Sequence, residues 1–150
     1  MNINDDFIEI CKYAHMWNWV PDWDIVQQIY ETYPDSYSVL TTFAYSYLEE
    51  LIRSTTSEYR MELLDKNGNP KYIKVGTKLI ELAKKENENN SEYINLLNDI
   101  EHYFNKSSIF DHGDNRNSVN HGYMHARFWT KESFEQLIHD IAKISKFARF

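Results

Sequence analysis

Apolar residues recur every three to four positions along most of the chain, the spacing of helices that bury one face. Phe7, Ile8, Cys11, Ala14 and His15 follow it and predict a first short helix. Val20-Pro21-Asp22 reads as a break, after which Asp22 caps a second helix with Trp23, Val26, Ile29, Tyr30 and Tyr33 facing inward. Pro34-Asp35-Ser36 ends that unit. From Ser36 to about Tyr59 runs the clearest stripe, built from Leu40, Phe43, Ala44, Tyr47, Leu48, Leu51 and Ile52. Met61–Lys74 holds the turn signal Lys66-Asn67-Gly68-Asn69-Pro70, which suits either a small β-hairpin or a plain loop.

Helical spacing resumes from Val75 to about Lys85, with Leu79, Ile80 and Leu82 apolar. After the polar connector Glu86–Asn90, Ser91 caps a helix carrying Ile94, Leu97 and Ile100–Phe104. Residues 105–115 read as a loop, and a further helix begins near Arg116. Thr130 is the expected N-cap of the last helix, with Phe134, Leu137, Ile138, Ile141 and Ile144 inward. The predicted fold is all-α: an antiparallel, up-and-down bundle of about four core helices over 36–150. Residues 1–35 form an N-terminal helical extension within a single domain spanning 1–150.

A length of 150 residues suits one domain, and a 42% hydrophobic content with 15% aromatics supplies a core. No apolar run is long enough to cross a bilayer. The acidic start Met1-Asn2-Ile3-Asn4-Asp5-Asp6 lacks the basic region of a secretory signal. The single cysteine, Cys11, has no internal partner and suits a small core position. The expected address is therefore the cytoplasm, with no membrane partner. The net charge of −7 argues against a broad nucleic-acid surface. It is uneven, at −6 over residues 1–35, −4 over 36–115 and +3 over 116–150. The last third is thus able to meet a phosphate, although a solvated helix with ordinary end charges has the same count.

The densest candidate chemistry is Asn115-Arg116-Asn117-Ser118-Val119-Asn120-His121-Gly122-Tyr123. An arginine grips phosphate through a planar fork of donors, and a histidine moves protons near neutral pH. Asn115 suits the N-cap of the helix that follows, which leaves the Arg116 side chain free to swing at its first turn. Arg116 and His121 are five residues apart, about 140° of rotation on a continuous helix, so they point to different faces. Asn117 and His121, four apart, share one. Arg116 therefore meets a histidine only from a frayed helix start or across a subunit boundary. Gly122, just inside the expected helix, suggests a close backbone approach.

This run resembles the signature of the HEPN superfamily: an arginine, a polar residue directly after it, four to six intervening positions in all, then a histidine. Arg116, Asn117 and His121 match those roles, and Tyr123 adds the histidine–any–tyrosine extension of HEPN toxins. Tyr47-Leu48-Glu49-Glu50-Leu51-Ile52-Arg53 is similar to the first bundle helix of the family, with an acid one turn before an arginine. Val75-Gly76-Thr77-Lys78-Leu79-Ile80 is similar to a glycine-containing segment that opens a middle helix in some members. The resemblance covers about residues 36–147. It implies a metal-independent endoribonuclease without a cofactor, acting on RNA as a homodimer with facing motifs. In that role Arg116 binds the scissile phosphate, His121 moves the proton and Asn117 orients either. Asn120 and Tyr123 are substrate-binding or regulatory candidates. The resemblance also implies a toxin–antitoxin or antiviral defence setting, with an antitoxin or nucleotidyltransferase partner able to modify Tyr123. Other family members are non-catalytic scaffolds that bind a protein or nucleotide, and this is the alternative expectation.

Two further readings stand beside it. His121 and His125, four apart, would share a helix face, with Asp111, His112 and Asp114 just upstream as further metal ligands. The aromatics Trp17, Trp19, Trp23, Tyr30, Tyr33 and Tyr37, set among acids, either grip a protein partner or fill the gap between extension and bundle. Glycine-rich phosphate loops, Rossmann fingerprints, serine nucleophile elbows and cysteine-based zinc motifs do not occur.

Overall fold

The apolar stripe from Leu40 to Ile52 organises the molecule around one long helix, in a computed structural model that describes residues 2–107, 112–121 and 125–150 (for Arg127, the backbone alone). Among the described residues there are seven α-helices and no β-strand: α1 Ile3–Tyr13, α2 Val20–Thr32, α3 Tyr37–Ser54, α4 Thr77–Glu86, α5 Ser91–Ile100, α6 Arg116–Asn120 and α7 Lys131–Ser145. Helix α3 is buried on several sides because α4, α6 and α7 all pack against it. The fold is an all-α helical bundle, as the spacing predicts.

Helix α3 stops at Ser54, short of the expected Tyr59. The cause is local. The hydroxyls of Ser54, Thr55 and Thr56 donate to the carbonyls of Leu51, Ile52 and Arg53, at 2.6, 2.7 and 2.9 Å. Such side-chain bonds satisfy the last turn and compete with helix continuation. The expected break at Val20-Pro21-Asp22 is likewise displaced. Helix α2 begins at Val20 with Pro21 in its first turn, where a proline loses no helical bond. The break is the turn before it, where His15 Nδ1 accepts from the backbone of Trp17 and Asn18, each at 3.3 Å. Ile29 and Tyr33 were expected to face inward, yet both face solvent, while Trp23, Val26 and Tyr30 are buried.

Asn90, one residue before the expected Ser91, caps α5 by accepting from Tyr93 N at 3.1 Å. Thr130 caps α7 as expected, accepting from Ser133 N at 3.1 Å. Between α3 and α4 the chain makes one antiparallel bridge, Leu64 to Pro70, in place of a hairpin. Asp65 holds that turn by accepting from the backbone of Asn67 and Asn69, at 2.8 and 2.9 Å.

The N-terminal helices belong to the same apolar core as the bundle. Helix α1 lies along α7, and Phe7 and Ile10 are fully buried. Trp23 stands edge-on to Phe43 and Tyr47 of α3, with ring centroids at 5.1 and 5.0 Å. The aromatic run thus fills the gap between extension and bundle at Trp19, Trp23 and Tyr30, whereas Trp17 and Tyr33 are exposed. Cys11 is half-buried beside this core. No helix among the described residues is long and apolar enough to cross a membrane.

Candidate functional site around Arg116

Helix α6 is too short to be stable alone, so surrounding structure must hold it. Two anchors come from the preceding loop. Tyr45 on α3 donates to the Gly113 carbonyl at 3.0 Å, and Thr130 N donates to the His112 carbonyl at 2.8 Å. Asn115 then caps the helix as expected. Its Oδ1 accepts from Asn117 N at 2.8 Å and Ser118 N at 3.3 Å. Its Nδ2 donates to the Asn105 carbonyl at 3.0 Å, and Asn117 Nδ2 donates to the same carbonyl at 3.0 Å.

These bonds aim Arg116 at α3. Arg116 Nη2 meets Glu49 Oε2 at 2.7 Å, and Nη1 donates to Asn117 Oδ1 at 3.2 Å. Glu49 also contacts a second guanidinium, with its Oε1 3.4 Å from Arg53 Nη2. Arg53 continues the network through Glu50 at 3.4 Å, Glu58 at 3.2 Å and the Lys74 carbonyl at 2.8 Å. Side chains of Arg116 and Glu49 are 17% and 12% exposed, so water screens their pairing weakly.

A cleft of about 190 Å³ opens beside the pair, lined by Ser46, Glu49, Glu50, Arg53, Arg116 and Asn120. Its two carboxylates balance its two guanidiniums. Arg116 Nε and Asn120 Oδ1 are buried there without a hydrogen-bond partner among the described residues.

Of the predicted site residues, Arg116, Asn117 and Asn120 come together at α6, with Arg116 and Asn120 facing the cleft. His121 does not line it. The helix ends one residue earlier, and His121 occupies the C-cap, exposed, its N–H bonded to the Asn117 carbonyl at 3.1 Å. Its side chain makes no hydrogen bond or ion pair among the described residues. Tyr123 and Gly122 lie outside the described residues, as does Asp111. Because α6 stops at Asn120, His121 and His125 do not share a helix face, and His125 lies in no helix. Among the described residues, no group of three or more His, Cys, Asp or Glu side chains is placed to hold a metal ion.

Glu49 and Arg53 are the site residues that spacing alone left unassigned. Their i, i+4 relation on one helix is legible. Their meeting with Arg116, over sixty residues later, is a tertiary event. No protein-family model matches the chain, and neither a curated protein nor a solved structure does.

Proposed function

We propose that this chain is a HEPN-like, metal-independent endoribonuclease whose cleavage site is composite, shared between two copies. The observation that carries the reading is the placement of Arg116 in the first turn of α6, facing a polar cleft, with exposed His121 ending the same helix. One short element thus presents a phosphate-binding group at one end and a proton-moving group at the other. Arg116 lines the cleft whereas His121 stands at the exposed C-cap outside it, so one chain does not turn both side chains into the same cleft. A second copy supplies the missing neighbour.

In the proposed step a neutral His121 imidazole takes the ribose 2′-OH proton as the 2′-oxygen attacks phosphorus. Arg116 stabilises the charge gathering on the phosphoryl oxygens. The bond to the 5′-oxygen breaks, and an imidazolium, the His121 of the second copy, returns a proton to it. The products are a 2′,3′-cyclic phosphate and a 5′-hydroxyl. Asn117 orients Arg116, Asn120 contacts substrate in the cleft, and Tyr123 is a substrate-binding or regulatory position. The proposed partners are the RNA substrate, a second copy, and an antitoxin or nucleotidyltransferase in a toxin–antitoxin or antiviral defence setting.

A second reading rests on the 2.7 Å contact between Arg116 and Glu49. A guanidinium already matched by a carboxylate is a structural tie, which favours a non-catalytic HEPN-like scaffold binding a protein or nucleotide. The readings separate in one assay. Wild type, Arg116→Ala and His121→Ala are incubated with RNA with and without EDTA, and products are analysed for cyclic phosphate ends. The nuclease reading expects cleavage by wild type and a loss of roughly a hundredfold or more in each variant. Equal behaviour of all three leaves the scaffold, and cleavage abolished by EDTA points to a metal.

A further inference from the structure

The chain is acidic overall, yet residues 66–85 carry six lysines and one glutamate. That segment is +5 within a protein of −7, leaving −12 on the remainder. The fold gathers part of this charge into a groove of about 390 Å³ along α4, lined by Lys74, Lys78, Glu81, Leu82 and Lys85. Lys78, Glu81, Leu82 and Lys85 follow one helix face at three- and four-residue steps. Lys78 and Lys85 are exposed, and no carboxylate lies within ion-pair range of either among the described residues. Lys74 is held by Glu58 at 3.0 Å. Beside the groove, Tyr72 is 69% exposed, and Lys78 Nζ sits 5.7 Å from its ring centroid.

We propose that this groove is a docking surface for single-stranded RNA. Lysines without carboxylate partners neutralise backbone phosphates and release counterions, the main source of affinity for a polyanion. Tyr72 supplies the exposed ring on which a base stacks, and such stacking tolerates any sequence. The acidic remainder repels the same strand, so binding concentrates here. The groove adjoins the Arg116 cleft. Lys74 lines the groove, and its carbonyl accepts at 2.8 Å from Arg53, which lines the cleft. A strand along α4 is thereby delivered toward Arg116. That delivery rests on reading the cleft as a cleavage site; the docking does not.

The test is fluorescence anisotropy with a short labelled single-stranded RNA, in the His121→Ala background so that the probe survives. Lys78→Ala/Lys85→Ala is expected to weaken binding roughly tenfold or more at about 0.1 M salt. The slope of log affinity against log salt should flatten by about 1.4, roughly 0.7 for each lysine removed. Tyr72→Ala should weaken binding by roughly fivefold or more without changing that slope. Lys131→Ala/Lys143→Ala on α7 makes the same change in net charge and is expected to stay within about twofold of the parent. All these side chains are on the surface, and helix content by circular dichroism confirms the fold. The proposal is overturned if the parent binds no RNA or if both double variants weaken equally. It is also overturned if the α4 variant loses phosphatidylserine vesicles but keeps RNA. Lysine-dependent binding by a chain whose wild type cleaves nothing would sink the nuclease reading and leave the docking surface standing.

Discussion

Glu49 determines what Arg116 is able to do. Its two oxygens meet two guanidiniums in a setting nearly closed to water. Removing it takes from Arg116 its one carboxylate among the described residues and leaves Arg53 with Glu50 and Glu58, so Glu49→Ala should cost on the order of 2–3 kcal/mol in urea denaturation. Among the described residues Glu50 pairs with Arg53 alone, and its side chain is 35% exposed. Glu50→Ala should therefore cost less than about 1 kcal/mol. Equal losses would mean that the Arg116 contact contributes nothing. Asn115 offers a finer separation, because its oxygen caps α6 and its nitrogen satisfies the Asn105 carbonyl. Asn115→Ala should lose about 1–2 kcal/mol, and Asn115→Asp, which keeps the acceptor, should lose less. The Asn115 cap was legible in sequence, since it depends on residues two and three positions away. The Glu49 contact was not, because nothing local to either residue encodes it.

Among the elements, α6 depends most on its surroundings. The loop leading into it turns at Gly113, with φ of +93°. A Cβ there would lie 2.9 Å from Trp129 Cβ. Gly113→Ala meets both strain and a clash, and is expected to destabilise by on the order of 2–4 kcal/mol. Gly68, at φ +79° in the turn before α4, has open space around it. Gly68→Ala should cost only about 1 kcal/mol. Thermal melts of the two variants make the comparison, and a smaller loss at Gly113 would refute the close approach. Helix interiors were legible from three- and four-residue spacing, whereas their ends were less so. Three consecutive hydroxyl residues closed α3 early, and Pro21 proved to open α2 rather than precede it. Both outcomes turn on which of two permitted local hydrogen-bond patterns the packed chain selects.

Across the whole molecule, the core holds several buried phenols, among them Tyr30, Tyr45, Tyr47, Tyr93 and Tyr103. Burial, helped by neighbouring carboxylates at Tyr30 and Tyr103, pushes the hydroxyls of Tyr30, Tyr47 and Tyr103 upward. Burial likewise raises Tyr93, to about 12. A phenol whose folded pKa exceeds its unfolded value of about 10 keeps its proton longer when folded. Its contribution to stability is complete below about pH 10 and is lost as pH climbs through about 12. The melting temperature should therefore fall steeply above about pH 10. Tyr93→Phe should make that fall shallower, and an unchanged slope would show that Tyr93 takes no part. Charge is a second property of this scale. Summed over residues 36–115 it is −4, which hides the lysine-rich segment that the fold lays along α4. The sequence by itself determined the helical class, most helix interiors, the capping of α6 and α7, and the arginine–histidine run. These depend on period and near-neighbour hydrogen bonds, which act within a few residues. Only the tertiary structure decided that Arg116 faces Glu49 and Arg53, that His121 stands outside their cleft, and that a basic groove adjoins it. Those relations join residues far apart in sequence, and packing of α3 against α4 and α6 brings them together.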